Sequence, residues 1–162
     1  MSFDSASISN NILKRSFEEG VPITPLKLQK ILFFTAAQYV KRSSGKEPLL
    51  NELFQPWQYG PVLPSVYAEF KSYGGKPIRR YAKDAEGKAY TITEDVDALK
   101  VTLDEVWAAT RGLGATRLVA ITHARDSAWW KAYQEESRYI KDEAILSDTT
   151  YVSLLGVEKV DL

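Results

Sequence analysis

The string Trp57-Gln58-Tyr59-Gly60-Pro61-Val62-Leu63-Pro64-Ser65-Val66-Tyr67 leaves this chain few conformations to choose from. A residue before proline is disfavoured in the α region, so Gly60-Pro61 must break any helix or strand that reaches it. Pro64 fits the first turn of a new helix, where its missing N–H is not needed. Val66, Phe70 and Tyr73 continue at helical spacing, and Gly74-Gly75 stops the element. The segment predicts a rigid, aromatic-walled corner. Whether Gly60 sits at positive φ decides how the corner responds to alanine there.

Around this corner the chain reads as mainly α. A first helix is expected from about Ser7 to Glu19, with Ile8, Ile12 and Phe17 inward and Gly20 as its stop. The second is the best signalled: Thr24 as N-cap, Pro25 at the first helical position, and Ile23 and Leu28 placed as a hydrophobic staple. Leu28, Ile31, Leu32, Thr35 and Tyr39 trace one face, and Phe33, Ala36 and Val40 widen it, so this helix should be central. Leu49, Leu50, Leu53 and Phe54 line a connector. Ile78–Tyr81 and Ala89–Ile92 flank the polar stretch 84–87 and read as a short β-hairpin near residues 78–92. Helices are expected again from Val96 to about Gly112, from Thr116 to His123, and from Asp126 to about Glu136, with Asp126 as N-cap and Trp129 facing Tyr133. A short one is placed at Asp148 to Leu155. The expected architecture is a compact single-domain helical fold of about six helices over residues 1–156, with one small hairpin and a frayed tail at 157–162.

Composition narrows the function classes. With 44% hydrophobic residues in 162, the chain can bury a real core. There are no cysteines, which removes disulfides and thiolate chemistry and suits a cytoplasmic location. Met1-Ser2-Phe3-Asp4-Ser5 lacks the basic start of a signal peptide, and Ile31–Val40 is too short to span a bilayer. Twenty-one basic residues balance 21 acidic ones, which argues against nucleic-acid binding through bulk charge. The balance is uneven: residues 1–90 carry a net +5 and residues 91–162 a net −5. Such polarity could steer a partner, align copies in a homo-oligomer, or be an accident of solvated surface.

No catalytic constellation emerges. His123 is the only histidine, so no multi-histidine metal site can form, and no Gly-x-Ser-x-Gly elbow marks a nucleophile. Gly112-Leu113-Gly114 lacks the third glycine of a dinucleotide fingerprint, and Gly74-Gly75-Lys76 lacks the spacing of a phosphate loop. Neither a cofactor nor a metal is expected, and His123 reads as a hydrogen-bonded structural residue.

The corner and the helix before it resemble the core motif of the SocA-like, or Panacea, antitoxin domain family, which includes phage-associated proteins. In that family a Trp-x-Tyr-Gly-Pro-Val-x-Pro-x-x-Tyr string follows a helix with a Lys-Leu-Gln-Lys-Leu-like start; here the helix reads Lys27, Leu28, Gln29, Lys30, Ile31, Leu32, Phe33, Phe34. Ile121, Thr122, His123 and Trp129 match the family's C-terminal signature. The resemblance implies a non-enzymatic protein that neutralises a cognate toxin encoded by an adjacent gene. It leaves open steric blocking, or an adaptor role delivering the toxin to an ATP-dependent protease. DNA-binding regulation is a third reading, for which no appended helix-turn-helix is visible.

Candidate contacts follow from residue type. Lys27 and Lys30 are neighbours on one side of the second helix with Phe34 a turn further on. Arg79, Arg80 and Lys83 form the densest basic run with Lys76; they suit an anionic contact, either an acidic toxin face or a phosphate backbone, or a charged, aggregation-resistant edge strand. Trp57 and Trp129 read first as core, with Trp57 kept as a contact candidate; Trp130, beside Trp129, must point elsewhere and is a second. Gln29 and Tyr59 either bond internally to the Gly60-Pro61 corner or meet a partner. Pro64, Tyr67, His123 and Trp129 complete the structural motif.

Overall fold

A computed structural model describes residues 2–95 and 98–161. Among them are eight α-helices and one two-stranded antiparallel sheet. Helix α1 (Ser5–Glu19) starts where the Asp4 carboxylate accepts from the Ser7 N–H and ends on Gly20 in the left-handed conformation. Helix α2 (Pro25–Arg42) carries the expected Thr24 cap and first-turn proline. The hairpin of β1 (Gln55–Trp57) and β2 (Gly60–Val62) follows, then α3 (Pro64–Phe70), α4 (Leu99–Thr110) and α5 (Ala115–Thr122). Helices α6 (Ala128–Gln134), α7 (Asp142–Ser147) and α8 (Thr150–Leu155) close the chain. No helix of the described residues is long and apolar enough to cross a membrane.

Helix α2 is the axle. Every residue from Lys27 to Lys41 is buried, and α1, α3, α4, α5, α7 and β2 all pack on it. Its apolar residues form the core: Phe33 meets Phe34 and Phe54 edge to face, with centroids 5.9 and 5.3 Å apart. Each such fully buried side chain stabilises the fold by about 1.5–3 kcal/mol. Its polar residues act as fasteners. The Lys27 ammonium donates to the carbonyl of Arg111 at the C-terminal end of α4, where a cation also suits the helix dipole. Gln38 donates to Glu105 and to the carbonyl of Glu158 and accepts from the Tyr151 hydroxyl. Lys41 donates to the carbonyls of Ala37 and Ile145. A buried polar group is costly unless paired, so each of these side chains fixes the position of a neighbouring element.

Several expectations need correcting. The single sheet lies at residues 55–62, not at 78–92. The two arms of the 78–92 segment do not pair because α1 intervenes. Asn10 accepts from the Ala82 N–H and donates to the carbonyls of Ala82 and Tyr90. Asn11 accepts from the Ile92 N–H and donates to its carbonyl. These side chains take the place of a strand ladder. Among the described residues there are eight helices; α8 answers to the short helix expected at Asp148–Leu155, and α7 is a further short piece with no sequence signal. Phe17 is at the surface, edge-on to Tyr81 at 5.1 Å. Ser127, not Asp126, caps α6; its hydroxyl accepts from the Trp130 N–H while Asp126 turns at positive φ. The tail expected to fray is held through Glu158: Val157 is buried, and the Glu158 N–H and carboxylate bond Glu105 and Arg42. Val96 lies outside the described residues.

The uneven charge is partly spent inside the molecule. Arg15 pairs with Glu94 and Asp104, and Arg42 with Glu105 and Glu158, each a cation of the first 90 residues bound to carboxylates of the remainder. Folding therefore brings the two halves together across α1, α2 and α4.

Candidate functional site

The β1–β2 hairpin turns through Gln58 and Tyr59, with Trp57 opposite Gly60. Gly60 has φ +109, and a Cβ built on it would lie 2.8 Å from Thr122 Oγ1 and 3.0 Å from Lys30 Nζ. Only glycine accepts both that backbone and that contact. Four hydrogen bonds then fix the corner to its surroundings. Gln29 grips Leu63 on both backbone groups, accepting from its N–H at 2.8 Å and donating to its carbonyl at 3.1 Å. Lys30 donates to the Pro61 carbonyl at 2.8 Å. The Trp129 indole donates to the Trp57 carbonyl at 2.7 Å, tying α6 to β1. Trp129 itself sits in a stack, with the His123 ring 3.8 Å away on one side and Tyr133 4.7 Å away on the other.

Burial tunes the two titratable groups beneath the corner. The Lys30 ammonium is wholly buried, which pushes its pKa down to about 7. His123 is held below the ordinary histidine range by burial and then by the nearby Lys30 charge, against a hydrogen bond with the Gln58 backbone. Among the described residues no cluster of three or more histidine or carboxylate side chains could hold a metal.

The structure separates the candidates. Lys27, Lys30 and Phe34 are buried in the molecule, on the part of α2 that the other helices cover. Gln29 bonds internally. Tyr59 does not: it is 62% exposed at the tip of the hairpin. Arg80 pairs with Glu69 at 2.9 Å and lies over the Phe70 ring, whereas Arg79 and Lys83 are exposed. Trp130 is half-buried, with the Arg125 guanidinium over its ring. Trp57 is half-buried, its indole donating to Gln55, and Tyr67 meets it edge to face at 4.9 Å.

Trp57, Tyr59 and Tyr67 thus wall one open cleft of about 430 Å³, floored by Leu26 and Val62, with Lys71 at its edge. Leu26 and Lys71 were not legible as site residues. Leu26 is an apolar residue lying off the core stripe of α2, the one hint available; Lys71 gives no signal in the sequence.

The family model for the antitoxin SocA-like, Panacea domain matches residues 28–130, which takes in the whole corner, α2 from Leu28 onward, and His123 and Trp129 of the stack. This chain belongs to the SocA-like Panacea antitoxin family. Antitoxin SocA of Caulobacter vibrioides (strain NA1000 / CB15N) is 32% identical over 133 residues, covering 79% of this chain and 69% of that one. No solved structure matches. Within the family motif the geometry draws a division: Gln29, Lys30, Gly60, Pro61 and Trp129 are used inside, while Trp57, Tyr59 and Tyr67 face the cleft.

Proposed function

We propose that this chain neutralises a cognate toxin, encoded by an adjacent gene, by binding it directly at the Trp57–Tyr67 cleft. The relative's role as an antitoxin supports the general reading. One observation carries the choice of surface: the aromatic residues of the family motif that are not used inside the fold converge on an open, apolar cleft. Tyrosine and tryptophan are the side chains most often found at the energetic centre of protein interfaces. Exposed apolar area rimmed by polar groups is the surface expected of a binding site. The mechanism is steric: the toxin is held with its working surface covered, and no bond is made or broken.

The test is growth of a host expressing the neighbouring open reading frame with wild type, with Tyr59→Ala, or with the Arg79→Glu/Lys83→Glu pair. Rescue by wild type, lost with Tyr59→Ala and kept with the charge-reversed pair, is the expected pattern. All three altered positions are exposed, so stability should stay within about 0.5 kcal/mol of wild type. Rescue lost only with the charge-reversed pair would move the binding surface to the 76–83 segment. A neighbour that is harmless, or one not relieved by wild type, would overturn the antitoxin reading.

A further inference from the structure

The cleft is chemically one-sided, and that constrains what can fill it. Its lining is mostly ring and alkyl carbon, with Gln29 and Gln58 as the polar exceptions, and Lys71 is the one charged residue lining it among those described. The backbone around it is already committed. The Trp57 carbonyl accepts from Trp129, the Pro61 carbonyl from Lys30, and both groups of Leu63 are taken by Gln29. Pro56 and Pro61 have no N–H to offer. A ligand adding itself as a strand would find no unpaired ladder here.

Most of the surface open to a ligand is therefore ring, with the Gln58 amide the one exposed polar side chain of the lining besides those of Tyr59 and Tyr67 and of Lys71. A suitable occupant presents flat alkyl surface to the rings, stays extended without a hydrogen-bonded neighbour, and places negative charge near Lys71. Polyproline II segments meet the first two conditions: they are extended, solvated along the backbone, and dock in aromatic-lined grooves. A carboxylate meets the third, because no acidic side chain of the cleft lining neutralises Lys71.

We propose that the cleft takes an extended, proline-containing segment of the toxin, with proline rings against Trp57, Tyr59 and Tyr67 and an acidic residue at the Lys71 end. This rests on the antitoxin reading for its partner but not for its chemistry.

The experiment titrates the full ¹⁵N-labelled chain with two synthetic peptides, Leu-Pro-Pro-Leu-Pro-Glu and the same sequence ending in Lys, both with blocked termini. The Glu peptide is expected to shift the Trp57 indole and the Leu26 and Gly74 amides saturably, leaving the Trp107 indole unmoved. The Lys peptide should bind about two- to fivefold more weakly, the range of an exposed ion pair, and Lys71→Glu should reverse that order. No shift at Trp57 with millimolar peptide overturns the proposal, and equal binding of the two peptides overturns the acidic end. The two readings fail separately. Peptide binding alongside a harmless neighbouring gene product would remove the toxin and keep the cleft. Rescue of a real toxin by the Tyr59→Ala/Tyr67→Ala variant would remove the cleft and keep the antitoxin.

Discussion

Gly60→Ala tests the corner most directly. At φ +109 an L-residue is strained, at about 1–3 kcal/mol. The added methyl would also stand 2.8 Å from Thr122 Oγ1, 3.0 Å from Lys30 Nζ and 3.1 Å from Lys30 Cε. Neither neighbour can retreat easily. Lys30 is wholly buried and holds the Pro61 carbonyl, and Thr122 is 2% exposed with its hydroxyl bonded to the Val119 carbonyl. Overpacking of this kind costs about 1–3 kcal/mol. Against these stands the stiffer unfolded chain of alanine, about 0.4–1 kcal/mol in favour of folding. The expected net loss is about 2–5 kcal/mol, a fall in Tm on the order of 5–15 °C for a domain of this size. Urea unfolding followed by tryptophan fluorescence should show a lower midpoint at unchanged m. Gly112→Ala is the control: nothing lies within 4 Å of its Cβ and its φ is not positive, so no loss is expected. A Gly60→Ala variant no less stable than Gly112→Ala would refute the account of the corner.

Gln29→Leu keeps most of the side-chain volume but leaves the buried N–H of Leu63 unpaired, while its carbonyl keeps the bond from the Tyr67 N–H. About 1–3 kcal/mol should be lost, with faster hydrogen exchange at the Leu63 amide; protection equal to wild type would show that the Gln29 grip is dispensable. Stability should also rise with pH above neutrality. In the unfolded chain Lys30 titrates near 10.5, and burial pushes it down to about 7 in the fold. Between these values the unfolded chain holds the extra proton, so each step up in pH favours folding, by up to about 1.4 kcal/mol per unit. Below 7 both states are protonated and the burial penalty is complete. Lys41, pushed down to about 8, adds in the same direction above that pH. Lys30→Met should flatten the curve between pH 7 and 10, and an unchanged slope would show that Lys30 does not titrate in this window.

The central helix was legible because its cap, proline, staple and apolar stripe all point the same way, and the structure follows them from Thr24 to Arg42. Pro64 was legible as the first residue of α3, but Gly60-Pro61, expected to break any strand, instead opens β2 and pairs with Trp57 and Pro56 across the hairpin. What else failed depended on distant partners. Residues 78–92 have the composition of a hairpin, but Asn10 and Asn11, some 70 to 80 positions earlier, satisfy the backbone groups that a ladder would have used. Lys27 and Lys30 look like surface residues by type. Only the packing of α4 and the hairpin around α2 reveals carbonyls positioned to receive them. The cleft joins the first turn of α2, the hairpin and the end of α3, a juxtaposition that no local pattern encodes.

That division between hidden and open residues bears on how one scaffold could serve different partners. Lys27, Gln29, Lys30 and Lys41 of α2 are each bonded to the backbone of another part of the fold. Replacing one to suit a new partner would leave a buried group unpaired and unsettle the fold. Tyr59 and Lys71 carry no such obligation: both are exposed, and substitution there should leave stability almost untouched. With the cleft as the proposed binding surface, partner choice could change at its rim while Gln29, Lys30, Gly60 and Trp129 hold the hairpin beneath it in place. A pre-packed wall would also lower the entropy lost on binding there, since Trp57 and Tyr67 already meet edge to face without a ligand.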